Sequence, residues 1–352
     1  MKEAAMSGRV TSEEIKKLDR RDMLGKLKGF SLQCEEAYSL PAPALLPEKD
    51  FNRIIFCGMG GSAIGGDIIN ALAFENSRIP CFVNRDYCLP FFADGKTLAV
   101  IISYSGNTEE TLSALEKARE RGCPVVCITS GGQVEKIASS DKLPLVKIPG
   151  GYPPRCAMGY LFFPCYKILS ALGVLPELDA SIFNRIRRWS EDFFPENEKS
   201  LAKGAALKFY GKIPLIYSGA RFLPALTRWK TQIAENSKSF AFINVFPEMN
   251  HNEIMSWRYP DWFIARSVPV FITSEKEHPR TDKRFKITRE IISGVNTDIL
   301  DLRTEGDSLL EEIFYLIVLG DWISFYLAVL NGADPTEING IDLLKKRMGG
   351  TS

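Results

Sequence analysis

The chain has 352 residues, 45% of them apolar and 25% charged, a globular composition with length enough for two domains of ordinary size. Its 44 Lys and Arg against 43 Asp and Glu leave a net charge of +1, which excludes a global field that would gather nucleic acid or an anionic membrane. The eight cysteines (34, 57, 81, 88, 123, 127, 156 and 165) stand mostly inside apolar runs without a CxxC pair, so they read as buried thiols in a reducing cytosol rather than a disulfide frame or zinc site.

In chain order, Met1 to Lys28 is polar and carries both signs of charge, which predicts no signal peptide and a cytoplasmic protein. Glu13 to Tyr38 reads as an amphipathic helical arm through Ile15, Leu18, Met23, Leu24 and Leu27. Arg53–Cys57 is a short apolar strand that runs into Gly58-Met59-Gly60-Gly61-Ser62-Ala63-Ile64-Gly65-Gly66-Asp67, and a helix is expected over 63–74. Strands follow at 79–84 and 98–103, the second entering Ser103-Tyr104-Ser105-Gly106-Asn107-Thr108-Glu109-Glu110-Thr111. The helix over 108–121 is predicted from Asn107 as N-cap, Glu110 three residues on, and Gly122 as its stop. Further strands are expected at 125–129 and 143–148. The Gly/Pro-rich stretch Pro149 to Arg155 marks a boundary or functional loop, after which a helix over 157–172 leads into the second half.

That half repeats the alternation: strand 213–218, helix 223–239, strands 242–246 and 262–273, helix 280–293, and strand 298–302. Ile313 to Leu330 carries a single charge, Asp321, with Gly320 and Ser324 at its centre and no basic flanks, which identifies a helix buried in a domain rather than a membrane span. Alternating strand and helix implies α/β architecture, parallel sheets with helices on both faces. Ser218-Gly219 after a strand faintly echoes Ser103 and Ser105-Gly106, a hint of duplication.

The two Ser/Gly-rich turns have the chemistry of a phosphate cradle. Glycines let backbone approach an anion, a helix start favours negative charge, and hydroxyls add donors without bulk. The ligating set is Ser62, Ser103, Ser105 and Thr108, with the backbone of Gly61 and Gly106 beside them; Asn107 or Thr108 could instead cap while the others bind. Neither loop holds a lysine, so this is not a Walker-type nucleotide site. Gly58-x-Gly60-x-x-Ala63 is only a partial dinucleotide fingerprint, although Asp86 near the second strand's end keeps a dehydrogenase as a rival reading.

GMGGSAIGGD followed by SYSGNTEET resembles the SIS (sugar isomerase) fold, and with GGYPPR at 150–155, AENSK at 234–238 and FPEMNHNE at 246–253 the set resembles the bifunctional phosphoglucose/phosphomannose isomerases. The resemblance runs from about residue 47 to the carboxyl terminus. It implies two doubly wound parallel-sheet SIS domains in tandem with helical segments at both ends: an arm at 1–46, a phosphate-binding domain at 47–175, and a second domain with carboxy-terminal helices at 176–352. The implied activity is an aldose–ketose isomerisation of glucose 6-phosphate, and of mannose 6-phosphate, with fructose 6-phosphate. That chemistry needs ring opening, a base that shuttles a proton between C2 and C1, and stabilisation of an enediolate, with no metal and no cofactor.

In the family the glutamate of the AENSK-like motif, here Glu235, is the proton shuttle, a position otherwise suited to a solvated helix face. His251 has a side chain suited to proton transfer at the ring oxygen, and relatives place it in the partner subunit's site, which implies a homodimer with shared sites. His278, before Pro279 at a helix start, reads as a surface residue. Arg155 is the cation for the enediolate, or else a structural ion pair at a domain junction. The closing helix of the family implies roles for Thr336 in admitting the mannose epimer and for Lys345 near the ring oxygen, with Lys346 adjacent to it. Another SIS isomerase, or a sugar-phosphate sensor without chemistry, is the alternative; the joint presence of Glu235, His251 and Arg155 favours the enzyme. The implied partner is a sugar phosphate, with no nucleic acid and no membrane.

Overall fold

The computed structural model describes residues 10–44, 46–48 and 50–349; residues 1–9, part of the segment expected to carry no signal peptide, lie outside the described residues. The chain divides into two units, one of Gly29–Arg188 with Gly306–Phe314, the other of the segment up to Lys28, Trp189–Glu305 and the chain from Tyr315 onward.

The first unit is built on a parallel sheet in the order β2-β1-β3-β4-β5, with β1 Arg53–Cys57, β2 Cys81–Asn84, β3 Thr97–Ser103, β4 Val125–Thr129 and β5 Leu145–Lys147. Every residue of β3 and β4 is buried, as expected where helices cover both faces of a parallel sheet. Pairing is in register: Cys57 at the end of β1 lies between Asn84 of β2 and Ile101 of β3. One face is packed by Ala114, Leu115 and Ala118 of the Glu109–Glu120 helix and by Val134 and Ala138 of the Gly132–Ser140 helix.

The second unit carries a parallel sheet in the order β7-β6-β8-β9, with β6 Ile213–Gly219, β7 Phe242–Phe246, β8 Ser267–Thr273 and β9 Leu300–Arg303. Element for element this is the order of β2-β1-β3-β4, so the duplication is visible in the topology. The correspondence differs from the sequence echo: Ser218-Gly219 ends β6 and therefore matches the end of β1. The counterpart of the Ser103–Thr108 loop follows β8.

Three other expectations change. The arm is three short helices, Ser12–Leu18, Met23–Lys28 and Phe30–Ser39, broken at Asp22 with its positive φ and at Gly29. The stretch read as one strand over 262–273 begins with a helical turn, Asp261–Ala265, because Pro260 and Asp261 form a helix start before the β-branched run. Seven of the cysteines are buried, whereas Cys88 is exposed in the loop after β2.

The apolar segment forms the helix Leu309–Leu330, long and apolar enough to cross a membrane, yet buried inside the protein throughout its most apolar stretch. Its central charge is neutralised inside the second unit. Asp321 accepts from Arg228 Nε at 2.9 Å and Nη2 at 2.6 Å, and from Gln232 Nε2 at 2.9 Å. Asn236 Nδ2 donates to Ser324 at 2.9 Å, so residues 228, 232 and 236, one helical turn apart, make a polar rail along the Leu223–Ser237 helix.

Candidate active site

In the first unit both Ser/Gly turns lie at the carboxyl ends of adjacent parallel strands, the crevice where such sheets bind ligands. Residues 58–60 link β1 to the helix Gly61–Asn76, which starts one residue before the buried Ser62; residues 104–108 link β3 to the helix Glu109–Glu120. The turns are tightly apposed: a Cβ on Gly58 would stand 2.8 Å from the Ile102 carbonyl of β3. Ser103 is buried, donates to Thr108 Oγ1 at 3.2 Å, and accepts from the Gly106 N–H at 3.1 Å. Gly106 adopts φ +67°, and a Cβ there would overlap the Gly131 carbonyl, so this position requires glycine. The cradle set Gly61, Ser62, Ser103, Ser105, Gly106 and Thr108 is thus brought together at one sheet edge, with two helix amino termini aimed at it.

The capping assignment is corrected. The N-cap of the Glu109–Glu120 helix is Thr108, whose side chain makes no capping bond. Asn107 instead accepts the Gln133 N–H at 3.0 Å and so caps the neighbouring helix Gly132–Ser140. This leaves the Thr108 hydroxyl facing Ser103 rather than its own helix.

Arg155 is buried and joins the same cluster. A Cβ on Gly61 would lie 3.2 Å from the Pro154 carbonyl and 3.5 Å from Arg155 Cα, so the loop bearing Arg155 rests on the first turn. Tyr104 fastens that loop to the second turn: its hydroxyl donates to Pro149 O at 3.0 Å and accepts the Tyr152 N–H at 2.9 Å. Burial raises the Tyr104 phenol above its ordinary pKa. Sequence reasoning missed Tyr104, and its signal was slight: one aromatic residue inside a polar turn. Cys57, at the foot of the first turn, is pushed up to about 12 by burial and stays a neutral thiol there.

In the second unit Glu235 is half-buried in the last turn of the Leu223–Ser237 helix. The turn that carries Thr336 is tied to this helix end, with Lys238 Nζ donating to Asp334 O at 2.6 Å and Asn331 Nδ2 to Ser237 O at 2.8 Å. Thr336 is buried, its N–H and hydroxyl both bound to Asp334 Oδ1. Thr336 and Glu235 therefore belong to one neighbourhood. Lys345 and Lys346 lie on the surface of the helix Asn339–Arg347, whose described residues are all solvent-facing.

His251 stands apart from Glu235. The Leu223–Ser237 helix follows β6 and runs back against it, so Glu235 lies at the edge where the strands begin. His251 closes the turn Glu248–His251 after β7 and lies, exposed, at the edge where the strands end; the five residues of β7 alone span roughly 16 Å. Its loop is anchored by Asn250, which donates to Thr288 at 2.8 Å, and by Glu253, which accepts from Tyr217 at 2.7 Å and Asn244 at 2.6 Å. Glu253, inside the FPEMNHNE motif, is a positioning group the sequence reading did not single out. His278 is exposed and caps the Pro279–Ser293 helix, its Nδ1 accepting the Arg280 N–H at 3.1 Å.

Two parallel sheets of one order, the first with paired Ser/Gly turns at its switch point, define a tandem SIS protein. Family models agree, with a SIS domain matching residues 49–141 and the bacterial phospho-glucose isomerase C-terminal SIS domain matching residues 198–348. A hypothetical protein of Thermus thermophilus shares the fold at TM-score 0.75 and 17% identity, over 99% of this chain and 97% of that one. The bifunctional phosphoglucose/phosphomannose isomerase of Caldicellulosiruptor bescii is 40% identical across 90% of this chain and 96% of its own. The D-glucosamine-6-phosphate 4-epimerase of Sulfolobus acidocaldarius is 32% identical across 69% of this chain and 74% of its own. The chain belongs to the bifunctional phosphoglucose/phosphomannose isomerase family.

Proposed function

We propose that the protein is a cytoplasmic aldose–ketose isomerase that interconverts glucose 6-phosphate and mannose 6-phosphate with fructose 6-phosphate through an open chain and a cis-enediol. The observation that carries this reading is the coupling of the two-turn cradle to the loop of Arg155, within a chain whose likeness to a bifunctional isomerase is both higher and longer than its likeness to the 4-epimerase. The domains are read as 47–175 and 176–352 behind an arm at 1–46.

Ser62, Ser103, Ser105 and Thr108, with the backbone of Gly61 and Gly106, hold the phosphate. His251 delivers a proton to the ring oxygen and opens the sugar, Glu235 takes the C2 proton and returns it to C1, and Arg155 holds the enediolate oxygen. Lys345 assists at the ring oxygen, and Thr336 shapes the space in which C2 turns to admit the mannose epimer. The opposite placement of Glu235 and His251 on the second sheet supports a homodimer in which the partner lends its histidine.

A coupled assay with fructose 6-phosphate as substrate tests the reading. Glu235→Gln is expected to lose at least about a thousandfold in kcat, the scale of a positioned acid–base group, while fructose 6-phosphate still binds. Wild-type turnover in that variant removes Glu235 from its role. A wild-type protein that binds the sugar phosphate tightly without turnover makes the chain a sensor.

A further inference from the structure

The carboxyl edge of the second sheet has the same plan as the cradle. Residues 220–222 after β6, a 3-10 turn, match residues 58–60 after β1, and residues 274–278 after β8 match residues 104–108 after β3, connections of equal length leading into helices at Leu223 and Pro279. The internal turn chemistry repeats as well. Lys276 N–H donates to Ser274 Oγ at 3.0 Å, the same two-residue bond that Asn107 N–H makes to Ser105 Oγ at 3.3 Å one place further along its loop, and the residue before each helix, His278 or Thr108, is its N-cap.

What differs is the occupant. Glu277 stands at the loop position of Asn107, and its carboxylate turns back onto the end of β6. A Cβ on Gly219, the last residue of β6 and the counterpart of Cys57, would overlap Oε2, so the carboxylate lies flat against that glycine at the strand end. Oε1 accepts the His278 N–H at 3.1 Å beside the start of the Pro279–Ser293 helix, and Oε2 is buried without a hydrogen-bond partner. Arg221 Nη1 donates to Lys276 O at 3.5 Å, which brings a guanidinium to the same loop. A half-buried carboxyl group with one oxygen enclosed against glycine, beside two helix starts, is in the environment that elsewhere receives phosphate.

We propose that Glu277 is a built-in phosphate surrogate: its carboxylate fills the seat that corresponds to the cradle of the first sheet and keeps the second sheet from binding a phosphate of its own. The duplicated halves thereby differ in what they accept. One takes the phosphate of the substrate, and the other is sealed by its own chain.

The test is the number of inorganic phosphate sites per chain, measured by titration calorimetry on the full-length protein. Glu277→Ala is expected to gain one site over wild type, and the gained site survives in the Ser103→Ala background. Ser103→Ala alone reports on the first cradle, so failure of the phosphate reading there and failure of the surrogate are separate results. No gained site in a Glu277→Ala protein with a native circular dichroism spectrum overturns the proposal. Should that variant not fold, Glu277→Gln, which removes the charge, is expected to show the additional phosphate site that wild type lacks, and a site count unchanged from wild type overturns the proposal equally.

Discussion

Gly106 shows how much a single position carries. Its φ of +67° lies where side chains are strained, and the Gly131 carbonyl occupies the space of a Cβ. Gly106→Ala therefore moves two loops at once, and the backbone strain alone costs about 1–3 kcal/mol. A fall in the urea midpoint with loss of phosphate binding is expected; an alanine variant that keeps both contradicts the geometry. The cradle's residue types were legible in the sequence because serine, threonine and glycine after apolar runs have few other uses in that pattern. The partners of those residues were not. That Asn107 caps a helix beginning at Gly132, and that Tyr104 holds Pro149 and Tyr152, depends on contacts made across the sheet edge, which no local spacing encodes.

At the level of elements, the helix Leu223–Ser237 carries the proposed proton shuttle, Glu235, beside a buried polar rail. Its residues 228, 232 and 236 face Asp321 and Ser324, while Glu235 points elsewhere on the same turn. Asp321→Asn removes the carboxylate charge that Arg228 and Gln232 both donate to, and about 3–5 kcal/mol of stability is expected to go with it. Replacing both charges, Arg228→Met with Asp321→Leu, is expected to restore most of that loss in a denaturation series; no recovery assigns the effect to the Gln232 bond instead. Apart from the start of β8, the strands were legible to within a residue or two since period and β-branching mark them, as at Phe242–Phe246. The helix breaks at Asp22 and Gly29 and the turn at Asp261 were hidden because short helices carry too little periodicity to separate from longer ones.

For the whole molecule the decisive fact is that Glu235 and His251 occupy opposite edges of one sheet. If a complete site takes one group from each of two copies, Glu235→Gln and His251→Ala proteins, each inactive, regain up to about a quarter of wild-type activity when unfolded together and refolded as a mixture, because half of the dimers are mixed and each holds one intact site. A mixture with no more activity than its components removes the shared site. The topology that sets this separation was legible in outline from alternating strands and helices. The direction of each loop needed the sheet order. Asp321 has a further consequence, for synthesis. As the segment Leu309–Leu330 leaves the ribosome it is apolar enough to be mistaken for an anchor, yet Arg228, the group that neutralises its central charge, was made 93 residues earlier. The nascent chain thus holds the partner of Asp321 before the helix that needs it emerges, an order that suits folding from the amino-terminal side.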